Sequence, residues 1–375
     1  MVAPAIFAGG GVVRTGKKTG DKIAGATTGI LPHFAVSSEL RILLPRWRNG
    51  EWTERKIMEF TRRDLGKIAL TSVPLSMALG AKMIDSKFGG VQIGAITYSF
   101  NRIASPDPEA IVKAFVEVGL GEAELMSNHC EALAGAPPMP VPVPGGGRMP
   151  PSAEQQAERQ AAMQKLAQWR ASTTAHTWKA VTGKFNDAGV DVALLCYNMQ
   201  DSMKDEDIEY GFGMARGLGV KAITTSTTLT MAKRIAPVAD RHKLRVGYHG
   251  HDATSDPNQT ATLESYDTLM AYGKYSGINL DIGHFTAAGY DAVAFIKLHH
   301  NRITNLHLKD RKKDHGPNVA VWGTGDTPMR DVLQLFKKEK YRFPANLELE
   351  YPVPPDSNII AETKKCLAYV KSCLA

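Results

Sequence analysis

Four short segments in the second half of the chain each end in side chains of metal-binding type. They are the stretch through Tyr248 with His249 and His251, the stretch Asn279-Leu280-Asp281-Ile282-Gly283-His284, the stretch Asn305-Leu306-His307, and the stretch Leu347-Glu348-Leu349-Glu350. Mixed imidazole and carboxylate donors suit a single divalent ion such as Mn, Co or Zn, with Mg a harder alternative. His249 and His251 are two apart and share one face of a strand. Asp281 is placed to bind through a hard oxygen. His284, three residues on, sits where the strand turns and could hold metal or a substrate oxygen. His307 alone would read as structural, but beside the other candidates it becomes a ligand. Glu348 and Glu350 also share a face, and burying both is costly without a cation or a basic partner such as Lys309 or Arg311. The chemistry open to such a set is Lewis-acid polarisation of a substrate oxygen by the ion, with Glu350 or Glu348 as the proton acceptor and His249, His251 or His284 as the proton donor.

One helix-length stretch separates each of these segments from the next. The same alternation runs back through the body. Strands are predicted at 91–98, 121–126, 190–198, 220–228, 244–251, 277–284, 303–309 and 346–351. Helices are predicted at 108–118, 153–188, 206–218, 229–242, 262–272, 291–300, 328–340 and 359–374. Eight strand and helix units predict a single-domain α/β (β/α)8 TIM barrel over 83–375, with ligands at the C-terminal strand ends. Around that mouth, Glu124, His129, Asn198, His284, Lys309 and Trp322 are candidates for substrate contact. The Pro/Gly-rich insertion at 136–151 follows the second strand and should lie at the mouth as a lid or an ornament. The loop Trp322-Gly323-Thr324-Gly325-Asp326 could support anion binding at a helix N-terminus, although it matches no phosphate-binding loop. The charge run from 310 to 314 reads as a solvated loop.

The net charge of +7 is unevenly placed. Residues 1–82 hold 13 of the 45 Lys+Arg and 6 of the 38 Asp+Glu, which leaves 32 of each in the remainder. A neutral body argues against nucleic acid as a partner. The four cysteines form no CxxC, and Cys366 and Cys373, seven apart on the last helix, read as core thiols. Paired arginines in Thr61-Arg62-Arg63-Asp64-Leu65-Gly66-Lys67 precede a weakly apolar stretch at 68–81, the pattern of a twin-arginine export signal over 58–82. Leu65 and Gly66 stand where Phe and Leu are common. The stretch is too short and too polar for stable membrane insertion. Residues 1–57 read as an upstream extension, non-native or disordered. Export machinery and a periplasmic or extracellular location are the matching expectations, and oligomeric state is left open.

The body resembles the sugar phosphate isomerase/epimerase superfamily of xylose isomerase-like TIM barrels. The stretches that carry the resemblance are GEAELMSNH, VGYHGHD, LDIGHFTAAG, ITNLHLKD, WGTGDTPM and LELEYP, and it covers nearly everything from Val91 onward. It implies one metal held at the ends of strands five to eight by His249, Asp281, His307 and Glu350, with Glu348 as the alternative on strand eight. It implies an isomerase or epimerase acting on a sugar or keto-sugar. Keto-sugar epimerases of this kind carry Glu on strand five, whereas this chain offers His249. In that respect it is similar to inosose dehydratase-like members, which makes a lyase the alternative. A non-catalytic carbohydrate-binding barrel, using Tyr98, Trp178, Tyr197 and Trp322, is a further one. The resemblance of LDIGHFTAAGYD to endonuclease IV is not supported by KDRKKDHG after strand seven, where the DRH-type element is missing. N-terminal sequencing of the native protein should find a mature terminus near Met83, and retention of Trp52 would refute the reading of residues 1–57 as an upstream extension.

Overall fold

The structure is a computed structural model. It describes residues 82–104, 107–140 and 152–375 in full, together with the backbone of Leu40–Arg48 and Glu51–Phe60. The chain divides into two compact units, Met1–Ala78 and Leu79–Ala375. In the first unit, Leu40–Arg48 and Glu51–Phe60 pair as antiparallel strands with a register shift between Pro45 and Arg46. The sequence reading expected no strands there. The twin-arginine stretch and nearly all of 58–82 lie outside the described residues, as do 141–151 of the Pro/Gly-rich insertion. No helix among the described residues is long and apolar enough to cross a membrane.

The second unit is the barrel. Its strands are β1 (Val91–Ile96), β2 (Glu122–Met126), β3 (Asp191–Cys196), β4 (Ala222–Ser226), β5 (Arg245–His249), β6 (Ser276–Asp281), β7 (Ile303–Leu308) and β8 (Ala345–Leu347). Each pairs in parallel with the next, and β8 pairs with β1 through Ala345↔Ile93 to close the ring. A short strand, Lys87–Phe88, turns back on β1 through Gly89 and Gly90, both at positive φ. That two-residue turn is one that glycine makes without a Cβ penalty.

Alternation along the strands decides what faces the axis. Ile278 and Leu280, Leu306 and Leu308, and Leu347 and Leu349 are buried in the large apolar cluster between barrel and helices. The opposite parity is polar: Glu124, Thr224, Asn279, Asn305, His307 and Asn346 are all buried. A barrel interior filled by branched apolar residues is the usual solution, and this one departs from it.

The helices follow the expected order with three local differences. The region expected to be one helix over 153–188 is two, Ala153–Ser172 and Ala175–Asp187. Asn128 and His129 lie on the helix Ser127–Leu133, just past β2. β8 ends at Leu347, short of the predicted 351. Arg170 grips Glu131 through Nε (2.7 Å) and Nη2 (3.0 Å), and the Tyr210 hydroxyl donates to the same carboxylate at 2.8 Å. This ties the long polar helix Ala153–Ser172 to the barrel wall.

Glycine on β5 sets the strand's distance from its neighbours. A Cβ on Gly247 would sit 2.0 Å from Thr304 Oγ1 and 3.2 Å from the Asn279 amide nitrogen. Gly247→Ala should therefore displace β5 and lower stability by about 1–3 kcal/mol, the usual cost of overpacking. Denaturant titration would measure it, and an unchanged midpoint would show that the strand has room to yield.

Candidate metal centre

β5, β6 and β7 and the segment after β8 bring four side chains together. His249, Asp281, His307 and Glu348 each offer one ligand atom, and these atoms lie within 4.8 Å of one another, all on buried residues. Register explains the meeting: His307 is the Cα partner of Asp281, and His249 is the partner of Asn279, two residues before Asp281 on the same face. His249 Nδ1, Asp281 Oδ2, His307 Nδ1 and Glu348 Oε2 are all buried and make no well-aligned hydrogen bond, the ammonium of Lys309 lying 3.0 Å from both carboxylate oxygens. Burying one such atom costs several kcal/mol when nothing compensates it. Four converging on one place, two carboxylate oxygens and two imidazole nitrogens, fit a divalent transition ion by donor type.

The surroundings fix how each donor points. Asp281 divides its carboxylate: Oδ1 accepts from the His284 amide at 2.8 Å and caps the helix Ile282–Ala287, while Oδ2 is turned to the cluster. His307 Nε2 lies 2.8 Å from Glu124 Oε2. An Nε2–H donated to that carboxylate is a strong, charge-assisted bond, and it leaves Nδ1 aimed at the cluster. Nδ1 lies 2.9 Å from Glu348 Oε2 but out of hydrogen-bond alignment. Glu124 is fully buried and also accepts from Asn305 Nδ2 (3.0 Å), Asn346 Nδ2 (2.9 Å) and the Thr224 hydroxyl. It was expected to touch substrate and instead anchors His307 from beneath.

Lys309 is the cation already present. Its Nζ donates to Glu350 Oε2 at 2.6 Å, and it sits 3.0 Å from both Asp281 Oδ2 and Glu348 Oε2. Burial works against its charge, but Asp281, Glu348 and Glu350 outweigh that and raise its pKa. Burial likewise opposes charge on His307, yet Glu124 and Glu348 more than offset it and hold the imidazole well above its ordinary pKa. Burial raises Glu348, but His307 and Lys309 overcome this and keep it well below the usual carboxylate range. His249 is pushed well below its ordinary value by burial and then by His307. His251 is lowered to about 4 by burial and His284, so it is neutral at physiological pH.

The strand-eight ligand differs from the expectation. Glu350 was expected in the cluster, but its carboxylate is partly exposed and paired with Lys309, and Glu348 supplies the converging oxygen. The chain leaves the sheet after Leu347, so the first inward residue beyond it stays at ligand depth and the next rises to the rim.

Above the cluster lies a cavity of about 170 Å³ whose walls include Tyr98, Asn198, Ser226, His251, Glu348 and Glu350. Asn198 lines it as expected, with Oδ1 accepting from the Ser226 amide at 2.8 Å. His284 stands beside it, 5.1 Å from His251 between ring centroids, with Nδ1 2.8 Å from Asp252 Oδ1. His249, His251 and His284 themselves form a second close group of imidazoles. His129 is not at the cavity. It is buried with Nδ1 3.0 Å from Thr97 Oγ1, and burial lowers it to about 4. Trp322 is buried in the apolar cluster, as are Trp178 and Tyr197. Of the four aromatic contacts proposed for a binding barrel, Tyr98 alone lines this cavity.

Two loop expectations also change. Asp310 and Arg311 are buried, not solvated. Asp310 Oδ2 accepts from the amides of Gly323 (2.7 Å) and Gly325 (3.0 Å), so the glycine-rich loop already holds an internal anion. Arg311 grips Asp252 through Nη1 (2.7 Å) and Nη2 (3.1 Å), a partner that the sequence reading did not name.

These positions separate the two strand-eight carboxylates experimentally. Glu348→Ala and His307→Ala should each lower affinity for a divalent ion by at least about 10-fold, and Glu350→Ala should leave roughly one equivalent bound. Metal analysis after gel filtration would show it, and the opposite ranking of Glu348 and Glu350 would return the ligand role to Glu350.

Residues 225–370, which include all four converging side chains, match the family described as a Xylose isomerase-like TIM barrel. The inosose dehydratase of Clostridium beijerinckii is 28% identical over 129 residues, or 34% of this chain, and the alignment spans 36% of that curated relative. A solved sugar phosphate isomerase/epimerase from Parabacteroides distasonis is 14% identical, with a TM-score of 0.50 and coverage of 78% of this chain and 98% of that one. A solved probable 3-DHS dehydratase from Bacillus anthracis is 16% identical, with a TM-score of 0.50 and coverage of 74% and 99%. At these identities the likeness to the solved structures is one of fold, the closed eight-stranded parallel barrel.

Proposed function

We propose that this chain is a metal-dependent enzyme that removes a proton beside the carbonyl of a sugar-sized polyhydroxylated substrate and completes the reaction by expelling a neighbouring hydroxyl. The observation that carries this reading is the convergence of four buried ligand atoms, on His249, Asp281, His307 and Glu348, within 4.8 Å of one another. These residues would hold a divalent ion, which when bound supplies Lewis-acid polarisation of a carbonyl.

The remaining steps belong to side chains. Glu350 borders the cavity and is the proton acceptor, with Lys309 Nζ holding its Oε2 at 2.6 Å. His251, neutral at physiological pH, orients a substrate hydroxyl. His284, whose Nδ1 is held 2.8 Å from Asp252 Oδ1 and against Arg311 Nη1, is the proton donor. A carboxylate on one wall and imidazoles on another make unlike partners, which suits elimination better than a symmetrical exchange between two carboxylates. The match to an inosose dehydratase supports the same preference. Isomerisation or epimerisation is the second reading, favoured by Glu350 and His251 lining one cavity, across which a proton could be returned.

The test is incubation of the metal-loaded protein with neutral keto-sugars and keto-cyclitols in deuterated water. Elimination should appear as loss of water, and the second reading as deuterium at carbon without it. Glu350→Gln should lower turnover by about 10²–10⁴-fold, the usual span for a general base, with metal content unchanged. Binding of sugars without exchange or elimination would leave a non-catalytic carbohydrate-binding barrel.

A further inference from the structure

We infer that the substrate of this site is an uncharged polyol that carries neither phosphate nor carboxylate, an assignment that rests on the proposed function above. Among the described residues, the cavity wall holds hydroxyls, two amides, imidazoles, two carboxylates, a thiol and the apolar Ile96 and Met126, and no lysine or arginine. The two cations nearest to it are engaged. Lys309 Nζ is shared among Asp281 (3.0 Å), Glu348 (3.0 Å) and Glu350 (2.6 Å). Arg311 has both terminal nitrogens on Asp252, and its Nε and Nη2 also donate to the Gly316 carbonyl at 3.1 and 2.8 Å. The backbone alternative is closed as well, because the Gly323 and Gly325 amides that could cradle a phosphate point at Asp310.

Formal charge points the same way. Glu124, Asp281, Glu348 and Glu350 are set against Lys309 and the His307 ring. A divalent ion bound in place of the proton on His307 Nδ1 would still leave the site one charge negative. A neutral hydroxyl can donate to Glu350 and meet the imidazole of His251. A phosphate or carboxylate would instead face like charge in a partly desolvated cavity, an arrangement that costs heavily in affinity.

The experiment is calorimetric titration of the full chain saturated with Mn²⁺, using matched pairs. These are D-fructose against D-fructose 6-phosphate, and 2-keto-myo-inositol against 3-dehydroshikimate. The neutral member of at least one pair should bind, with its charged counterpart about 100-fold weaker or more. In Glu350→Gln, which removes one negative charge and one of the three carboxylate partners of Lys309, the gap should narrow by about 10-fold. A charged member that binds as tightly as its neutral partner would overturn this inference and leave the proposed function standing, as would a gap unchanged in Glu350→Gln. Failure of every ligand to bind would remove the proposed function, and this assignment with it.

Discussion

The arrangement depends on a charge problem at the centre of the barrel. Asp281 and Glu348 are buried, face one another's space, and are separated from water by the walls of β5 to β8. Two carboxylates cannot share such a place without positive charge nearby. The chain answers with Lys309 and with the imidazole of His307, both held in their charged forms by the acids around them. A divalent ion taking the place of the proton on His307 Nδ1 would answer the same need with better directional match, because the four ligand atoms lie within 4.8 Å of one another. The polar barrel interior follows from this demand. Glu124 must sit under His307, and Asn305, Asn346 and Thr224 must in turn satisfy Glu124.

That chain of consequences reaches the outer shell. Once the interior faces of the strands are given to polar groups, apolar burial has to come from the other parity, against the helices. The leucines and isoleucines of β6, β7 and β8 supply it there. At the rim, the segment after β7 is drawn inward by Asp310 and Arg311, whose partners are the glycine-rich loop and Asp252. The loops of the mouth are therefore held by ion pairs and amide clasps, and the cavity between them stays small.

Much of this was legible in the sequence because side-chain type and strand end coincide. His249, Asp281 and His307 each stand within three residues of the end of a predicted strand, and at or next to the last residue of the observed one. The choice between Glu348 and Glu350 was not legible, since both have the right parity and only the early end of β8 decides which one stays deep. Glu124 was visible as a strand-end acid, but its role was not. Its partners lie 100 to 222 residues away and meet it only across the closed barrel. His129 and Trp322 were named for their type. Burial against Thr97 and within the apolar cluster shows that type without depth is a weak guide. Asp310 and Arg311 looked solvated because a dense charge run normally is. Nothing local revealed that partners for both would be folded over them.

The divided carboxylate of Asp281 joins two parts of the molecule that need not have been joined. One oxygen closes the first turn of the helix Ile282–Ala287, and the other faces the metal-type cluster. Any pull on the second oxygen is felt at the first, and so at the start of the helix that carries His284. Amide hydrogen exchange at His284 would thus report on the state of the cluster without any substrate present. The ring proposed as proton donor is steadied by the same carboxylate that would help to hold an ion, so filling the centre and setting that ring would be coupled.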